Sequence, residues 1–144
     1  MDELSYEEYE LECKKREEEN ETYLKIFMDE LKEAGLTEKT INKHSSNVEF
    51  YLNTYLLREE PKEMVQGCYG LDSFFGYFFI RKCMWSSAAS IKSTAASFKK
   101  FYKCMLKYDL IEEKDYEYLC QDIKENMKEW QSACREFDDL SMLF

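Results

Sequence analysis

Apolar residues recur every three or four positions along most of the chain, which is the spacing of one face of an α-helix. The pattern divides into five helices between residue 23 and about residue 131. Their predicted core positions are, helix by helix, Tyr23, Leu24, Phe27, Met28 and Leu31; Ile41, Val48, Leu52 and Tyr55; Leu71, Phe74, Phe75, Phe78 and Phe79; Ile91, Ala95, Phe98, Tyr102 and Met105; and Tyr116, Leu119, Ile123, Met127 and Trp130. The sequence therefore predicts an all-α fold, a compact bundle of about five helices.

Residues that start and stop helices support this division. Gly35 suits the C-terminal cap of the first helix, and Thr37 suits the N-terminal cap of the second, which ends near Pro61. Ser86 or Ser87 opens the fourth helix. One proline and four glycines are too few for a fold with many strands, because hairpins need turn residues at short intervals.

The two ends of the chain differ from this central part. Residues 1–22 hold ten acidic side chains against three basic ones, with a thin apolar stripe, and predict an acidic helical extension that packs weakly. The tail 132–144 has no clear period, and its apolar residues Leu140, Met142, Leu143 and Phe144 either dock locally or reach a partner. We therefore expect an extension at 1–22, a helical domain at 23–131 and a tail at 132–144.

Composition bears on several classes of function. No apolar run approaches the roughly 20 residues of a membrane helix, and the N-terminus lacks the pattern of a signal peptide, so we expect a cytoplasmic protein without a membrane partner. We expect the six cysteines to be reduced there, and zinc is not expected, because no CxxC pair occurs and His44 is the single histidine. Without a Gly-rich phosphate loop or a GxSxG motif, we expect neither a cofactor nor catalysis.

Charge is distributed unevenly along a chain whose formal net charge is −10. Between Ile80 and Tyr108 there are seven basic residues and no acidic one. On a helical wheel of about 100° per residue, five of them share one arc of the fourth helix, and small residues Ser93, Ala96 and Ser97 continue that outer face. The five are Lys92, Lys99, Lys100, Lys103 and Lys107. Such a face suits either a nucleic-acid contact or simple solvation.

A second basic face is predicted at the start of the second helix. Lys39 and Lys43 project away from its core stripe, and the free N–H groups of the helix N-terminus could hold a phosphate. His44 lies at the margin of the stripe, where it is either a boundary packing residue or a ligand. Phe50 falls on the polar side of the same wheel, so another segment or a partner must cover it.

Two stretches carry a resemblance to a known family. GLTEKTINKHSSNVEFYLNTYL follows a G-L-[ST]-x-x-T-[IV] helix start, and SSAASIKSTAASFKKFYKCMLKYDLI ends with the exit Tyr108-x-Leu110-Ile111. Over residues 22–111 the chain resembles the N-terminal, SAM-like core-binding domain of tyrosine recombinases and phage integrases. The resemblance implies that the second and fourth helices face double-stranded DNA, and carries that role onto Lys39, Lys43, His44, Lys92, Lys99 and Lys103.

The chain also departs from that family. After Ile111 no room remains for the catalytic domain, and an extra Glu- and Tyr-rich helix follows instead of a linker. We therefore expect a stand-alone DNA-binding module without recombinase activity. The alternative is a helical protein-interaction module that uses residues 1–22, Phe50 or the apolar tail. The acidic residues 1–22 either screen the two basic faces or form a solvated extension.

Overall fold

The computed structural model describes residues 5–142, which form helices and turns without a β-strand. The all-α prediction is therefore confirmed for this part of the chain. The chain divides into two compact units, residues 1–67 and residues 68–144.

The first unit contains α1 (Tyr6–Glu33) and α2 (Glu38–Glu49), which a π-helical segment (Phe50–Tyr55) continues. A 3₁₀ helix (Met64–Tyr69) spans the boundary between the two units. The second unit contains α3 (Leu71–Ser73), a π-helical segment (Phe74–Phe78), α4 (Phe79–Lys82), α5 (Ala88–Lys107) and α6 (Glu113–Ser141). The run from α3 to α4 is the predicted third helix.

The turn between α1 and α2 is closed by backbone hydrogen bonds. Gly35 has a φ of +85°, a conformation that residues with a Cβ rarely adopt. Its N–H donates to the carbonyl of Lys32 at 3.0 Å, and the N–H of Leu36 donates to the carbonyl of Leu31 at 3.1 Å. The Thr37 side chain then accepts from the N–H of Thr40, as an N-terminal cap does. Thr37 is confirmed as the N-terminal cap of α2, and Gly35 directly follows Ala34, which caps the C-terminus of α1.

The acidic part of α1 is packed, in contrast to the weak packing that its thin stripe predicts. Buried Asn20 donates to the side-chain oxygen of Asn53 at 2.7 Å, and the Tyr9 hydroxyl donates to the carbonyl of Leu57. The buried guanidinium of Arg16 contacts carboxylates of the same helix and of a later turn. Polar contacts therefore hold residues 5–22 in place, and the apolar pattern of the sequence does not reveal such contacts. The predicted boundary at residue 22 falls inside α1.

Residues 50–55 change the helical period. The N–H of Leu56 donates to the carbonyl of Tyr51 at 3.0 Å, an i to i+5 bond that widens the turn. Tyr51, Leu52 and Tyr55 are all buried, and Phe50 is half-buried. The N–H of Phe50 still donates to the carbonyl of Ser46 as in an α-helix, so its position on the wheel holds, and the chain itself partly covers its ring.

Aromatic rings form the core of the second unit. The ring centroids of Phe74 and Phe98 lie 5.6 Å apart, and those of Phe75 and Phe98 lie 5.5 Å apart. Trp130 of α6 contacts Phe75 with a centroid distance of 5.1 Å. Burying an aromatic side chain of this size stabilises the fold by roughly 1.5–3 kcal/mol. This core holds α5 and α6 side by side.

Helix α6 runs about ten residues beyond the predicted end near Gln131 and reaches Ser141. That prediction is wrong, because contacts from elsewhere in the same unit hold the last turns. Cys134 is buried, and the guanidinium of Arg81 in α4 lies 5.4 Å from the centroid of Phe137. Leu140 and Met142 are exposed. Residues 1–4 of the acidic segment, and Leu143 and Phe144 of the tail, lie outside the described residues.

Candidate nucleic-acid interface

Two serines fix the start of α5. The Ser87 side chain accepts from the N–H of Ser90 at 3.0 Å, and the Ser90 side chain accepts from the N–H of Ser87 at 2.7 Å. This reciprocal pair is a capping box, in which the serines satisfy backbone donors that the helix itself leaves unused. Of the two predicted caps, the structure thus selects Ser87.

The two faces of α5 differ in the way that the periodicity predicts. The five predicted core residues, Ile91, Ala95, Phe98, Tyr102 and Met105, are all buried. Lys92, Lys99, Lys100 and Lys103 are exposed. Among the described residues, none of these four lysines has a carboxylate within ion-pair distance. Lys107, the fifth lysine of the arc, lies 5.6 Å from the ring centroid of Tyr108.

The small residues beside this lysine face are not all on the surface. Ser97 is completely buried and donates to the carbonyl of Ser93 at 3.3 Å, so its predicted place on the outer face is wrong. It lies toward the protein interior, where a small side chain fits. Ser93 is half-buried and Ala96 is exposed. Only Ala96 therefore leaves room for close approach between the lysines.

The predicted residues of α2 lie in the first unit. Lys39 and Lys43 are exposed, and His44 is half-buried, as a boundary packing residue would be. One of the helix-terminal donors, the N–H of Thr40, is already bonded to the Thr37 side chain at 3.3 Å. The structure thus groups the seven predicted residues into two sets, one in each unit. The Thr37 cap thus uses one of the backbone donors that the start of α2 could offer to a phosphate.

The contacts of the acidic part of α1 bear on the screening hypothesis. Its polar contacts reach Asn53, Leu57 and Glu63, which come after α2. Lys39 and Lys43 begin α2, just after the turn at Gly35. Glu17 and Glu21 nevertheless line a groove with Asn42 and Ser46 of α2, so the screening hypothesis stays a prediction.

A groove between α5 and α6 was not predicted from the sequence. It is open to solvent, has a volume of about 810 Å³, and is lined by Lys99 of α5 and, on α6, by Lys114, Glu117, Tyr118, Cys120, Gln121, Ile123 and Lys124. The α6 lysines stand in a Glu-rich segment, where sequence alone shows no basic excess. They become part of a basic site only because the fold brings Lys99 beside them.

The cysteine thiols whose pKa is shifted are not activated nucleophiles. Burial raises the pKa of Cys83 to about 11, and burial also raises the pKa of Cys68 and of Cys134. A thiol with a raised pKa stays protonated at neutral pH and is a poor nucleophile. All six cysteines are free. Within residues 5–142 no group of three or more His, Cys, Asp or Glu side chains is placed to hold a metal ion.

Comparison with known proteins gives no relative. No family model, no curated protein and no solved structure matches the chain. In the part that the structure describes, no helix combines the length and apolar composition needed to cross a lipid bilayer. The resemblance to the integrase core-binding domain therefore stays a prediction, and the lysine faces of α2 and α5 are the sites that the residues themselves indicate.

Proposed function

We propose that this chain is a DNA-binding module that contacts the phosphates of double-stranded DNA and has no catalytic activity of its own. The observation that carries the proposal is the exposed face of α5. Four lysines, Lys92, Lys99, Lys100 and Lys103, share that face without a paired carboxylate among the described residues. A cluster of unpaired ammonium groups is the electrostatic pattern that favours a polyanion.

The chemistry of the lysine side chain indicates which part of DNA is contacted. Its ammonium is a flexible point charge, whereas base recognition favours the planar fork of arginine or an amide. Binding should therefore be driven by the release of counterions from phosphates, with little preference for sequence. Lys39, Lys43 and His44 on α2 are proposed to make a second contact. The resemblance to integrase core-binding domains supports this choice, because in that family the corresponding helices face DNA.

The test is a fluorescence-anisotropy titration with labelled duplex DNA over a series of salt concentrations. The variant replaces Lys92, Lys99 and Lys103 by Ala. Each lost phosphate contact should lower the slope of log affinity against log salt by about one unit, and affinity should fall on every DNA sequence. A matched control replaces the exposed Lys14, Lys15 and Lys25 of α1 by Ala, which removes the same charge.

The control separates a contact from a general effect of net charge. Equal losses of affinity and slope in the two triple variants would contradict contact at α5. Absence of duplex binding by the unaltered chain at low salt would contradict the function itself. Circular dichroism of all three proteins is needed to show that each is folded.

The alternative, a protein-interaction module, is favoured by a different feature. At the turn between α4 and α5, Met84 is fully exposed and Trp85 is 56% exposed. Exposed large apolar neighbours of this kind suit a protein partner. A chain carrying Trp130→Phe would leave Trp85 as its single indole, so a blue shift of its emission would report a partner that covers it. Blue-shifted emission with a protein partner, together with no binding to duplex DNA, would favour this alternative.

A further inference from the structure

We infer that α6 takes part in binding and that the groove between α5 and α6 holds a stretch of the sugar-phosphate backbone of duplex DNA. This inference rests on the proposed function and adds residues that neither the sequence pattern nor the resemblance indicates. The added residues are Lys114, Tyr118 and Lys124, which line the groove together with Lys99.

The groove is shallow and open to solvent, so a bulky ligand can reach it. Its volume is about 810 Å³, and it is lined mainly by α6, with Lys99 contributed by α5. Half-buried Cys120 and Ile123 line it together with the charged side chains and add apolar surface. This mixture suits a nucleic-acid backbone, because its sugars are partly apolar while its phosphates attract cations.

Charge favours an anion in the groove. Three lysines line it against one glutamate, Glu117. Lys99 and Lys124 have no ion-pair partner among the described residues. Lys114 contacts a carboxylate oxygen of Glu112 at 3.2 Å, but both side chains are more than two-thirds exposed. Such an exposed pair is weak, so a phosphate can replace Glu112 at little cost.

Tyr118 adds a fixed polar group to the groove. Its ring is half exposed and lies against that of Tyr69, with centroids 4.7 Å apart. The Tyr69 hydroxyl in turn donates to a side-chain oxygen of buried Asp115 at 2.5 Å. The ring of Tyr118 is therefore held by its contact with Tyr69, whose position is fixed by the hydrogen bond to Asp115. Tyrosine hydroxyls commonly donate to phosphate oxygens.

The first test uses charge-removing variants of the full chain. Lys114→Gln and Lys124→Gln each keep a long polar side chain and remove one charge. We expect each to lower the slope of log affinity for duplex DNA against log salt by about one unit, and the double variant by about two. Lys25→Gln on α1 removes the same charge outside the groove and should leave the slope unchanged. Slopes for Lys114→Gln and Lys124→Gln equal to that of Lys25→Gln would overturn the inference.

The second test measures directly whether DNA covers the groove. Cys120 lines the groove, whereas Cys13, which is also half-buried, lies on α1 and serves as an internal reference. The other four cysteines are buried. Saturating duplex DNA should slow alkylation of Cys120 by iodoacetamide several-fold and leave Cys13 unchanged, as measured by peptide mass spectrometry. Equal rates at Cys120 with and without DNA would mean that the groove is empty.

The outcomes separate this inference from the proposed function. If the α5 triple variant weakens DNA binding while the groove variants bind normally and Cys120 stays reactive, DNA is bound and the groove assignment is wrong. If the unaltered chain binds no duplex DNA at low salt, both fail. Protection of Cys120 by single-stranded but not by duplex DNA would overturn the assignment to a duplex.

Discussion

The indole nitrogen of Trp130 donates a hydrogen bond to the side-chain oxygen Oδ1 of Asp72 at 2.8 Å. This bond joins α6 to α3 across 58 residues, and Trp130 is only 2% exposed. Because the indole is buried, its N–H has few other acceptors. The bond therefore places α6, and with it one side of the groove, against the α3–α4 segment.

Replacing Asp72 by Ala should destabilise the second unit by about 1–3 kcal/mol, since it leaves a buried donor without its acceptor. Asp72→Asn keeps an amide oxygen at the same position and should cost less. Chemical denaturation followed by circular dichroism measures both. Equal stability of the two variants would show that the hydrogen bond contributes little.

The two glycines at 35 and 76 should respond to alanine in opposite directions. At Gly35 a Cβ would meet nothing within 4 Å, but the φ of +85° strains any residue that has one. Gly35→Ala should therefore destabilise the protein by about 1–2 kcal/mol. At helical Gly76 the nearest atom would be an ordinary 3.6 Å contact with Trp130, so alanine should stabilise by up to about 1 kcal/mol. Loss of stability at Gly76 similar to that at Gly35 would contradict the backbone explanation.

Asn20 tests whether the acidic part of α1 is packed. Asn20→Ala removes the hydrogen bond to Asn53 and should lower the free energy of unfolding by about 1–2 kcal/mol. Thr22→Ala, two residues along on the exposed side of the same helix, should change it by less than about 0.5 kcal/mol. If both variants are as stable as the unaltered chain, the segment behaves as a solvated extension.

Alkaline pH should weaken the second unit through Cys83. Burial raises the pKa of this thiol from the ordinary value of 9.0 to about 11. As pH rises above 9.0, the unfolded chain loses the proton that the folded chain retains, so stability falls until about pH 11. Cys83→Ala should make the fall of the free energy of unfolding with pH less steep, by the equivalent of up to about one bound proton. Melting temperatures between pH 8 and pH 11 provide the measurement, and identical pH profiles for Cys83→Ala and the unaltered chain would contradict it.

The sequence predicts the lysines and the apolar core of α5 well because this helix keeps one period throughout its length, although it misplaces Ser97, which is buried. The sequence does not show the wider turn after Phe50, where the N–H of Leu56 donates to the carbonyl of Tyr51. It also fails after Gln131, where the chain has a thin apolar stripe and the contact between Arg81 and Phe137 comes from another helix. Local pattern cannot show such contacts between distant residues.

The candidate site also contains some residues that the sequence predicts and others that it does not. Exposure of Lys92 or Lys103 follows from the position of each residue on the α5 wheel, so both could be found from sequence. The roles of Lys114 and Lys124 could not, because α6 alone presents them among glutamates. They belong to a basic groove only when the packing of aromatic rings sets α6 beside Lys99.

The 28 residues of α1 give a rigid rod about 42 Å long, at 1.5 Å of rise per residue. Its acidic beginning, near Glu7, and the turn that precedes Lys39 stand at opposite ends of that rod. At physiological salt, electrostatic potentials decay over a Debye length of about 8 Å, so several such lengths separate the two ends. The net charge of −10 therefore says little about the potential that a phosphate would meet at α2. That potential depends more on the charged residues near the turn, among them Asp29, Lys32, Glu38 and Lys39.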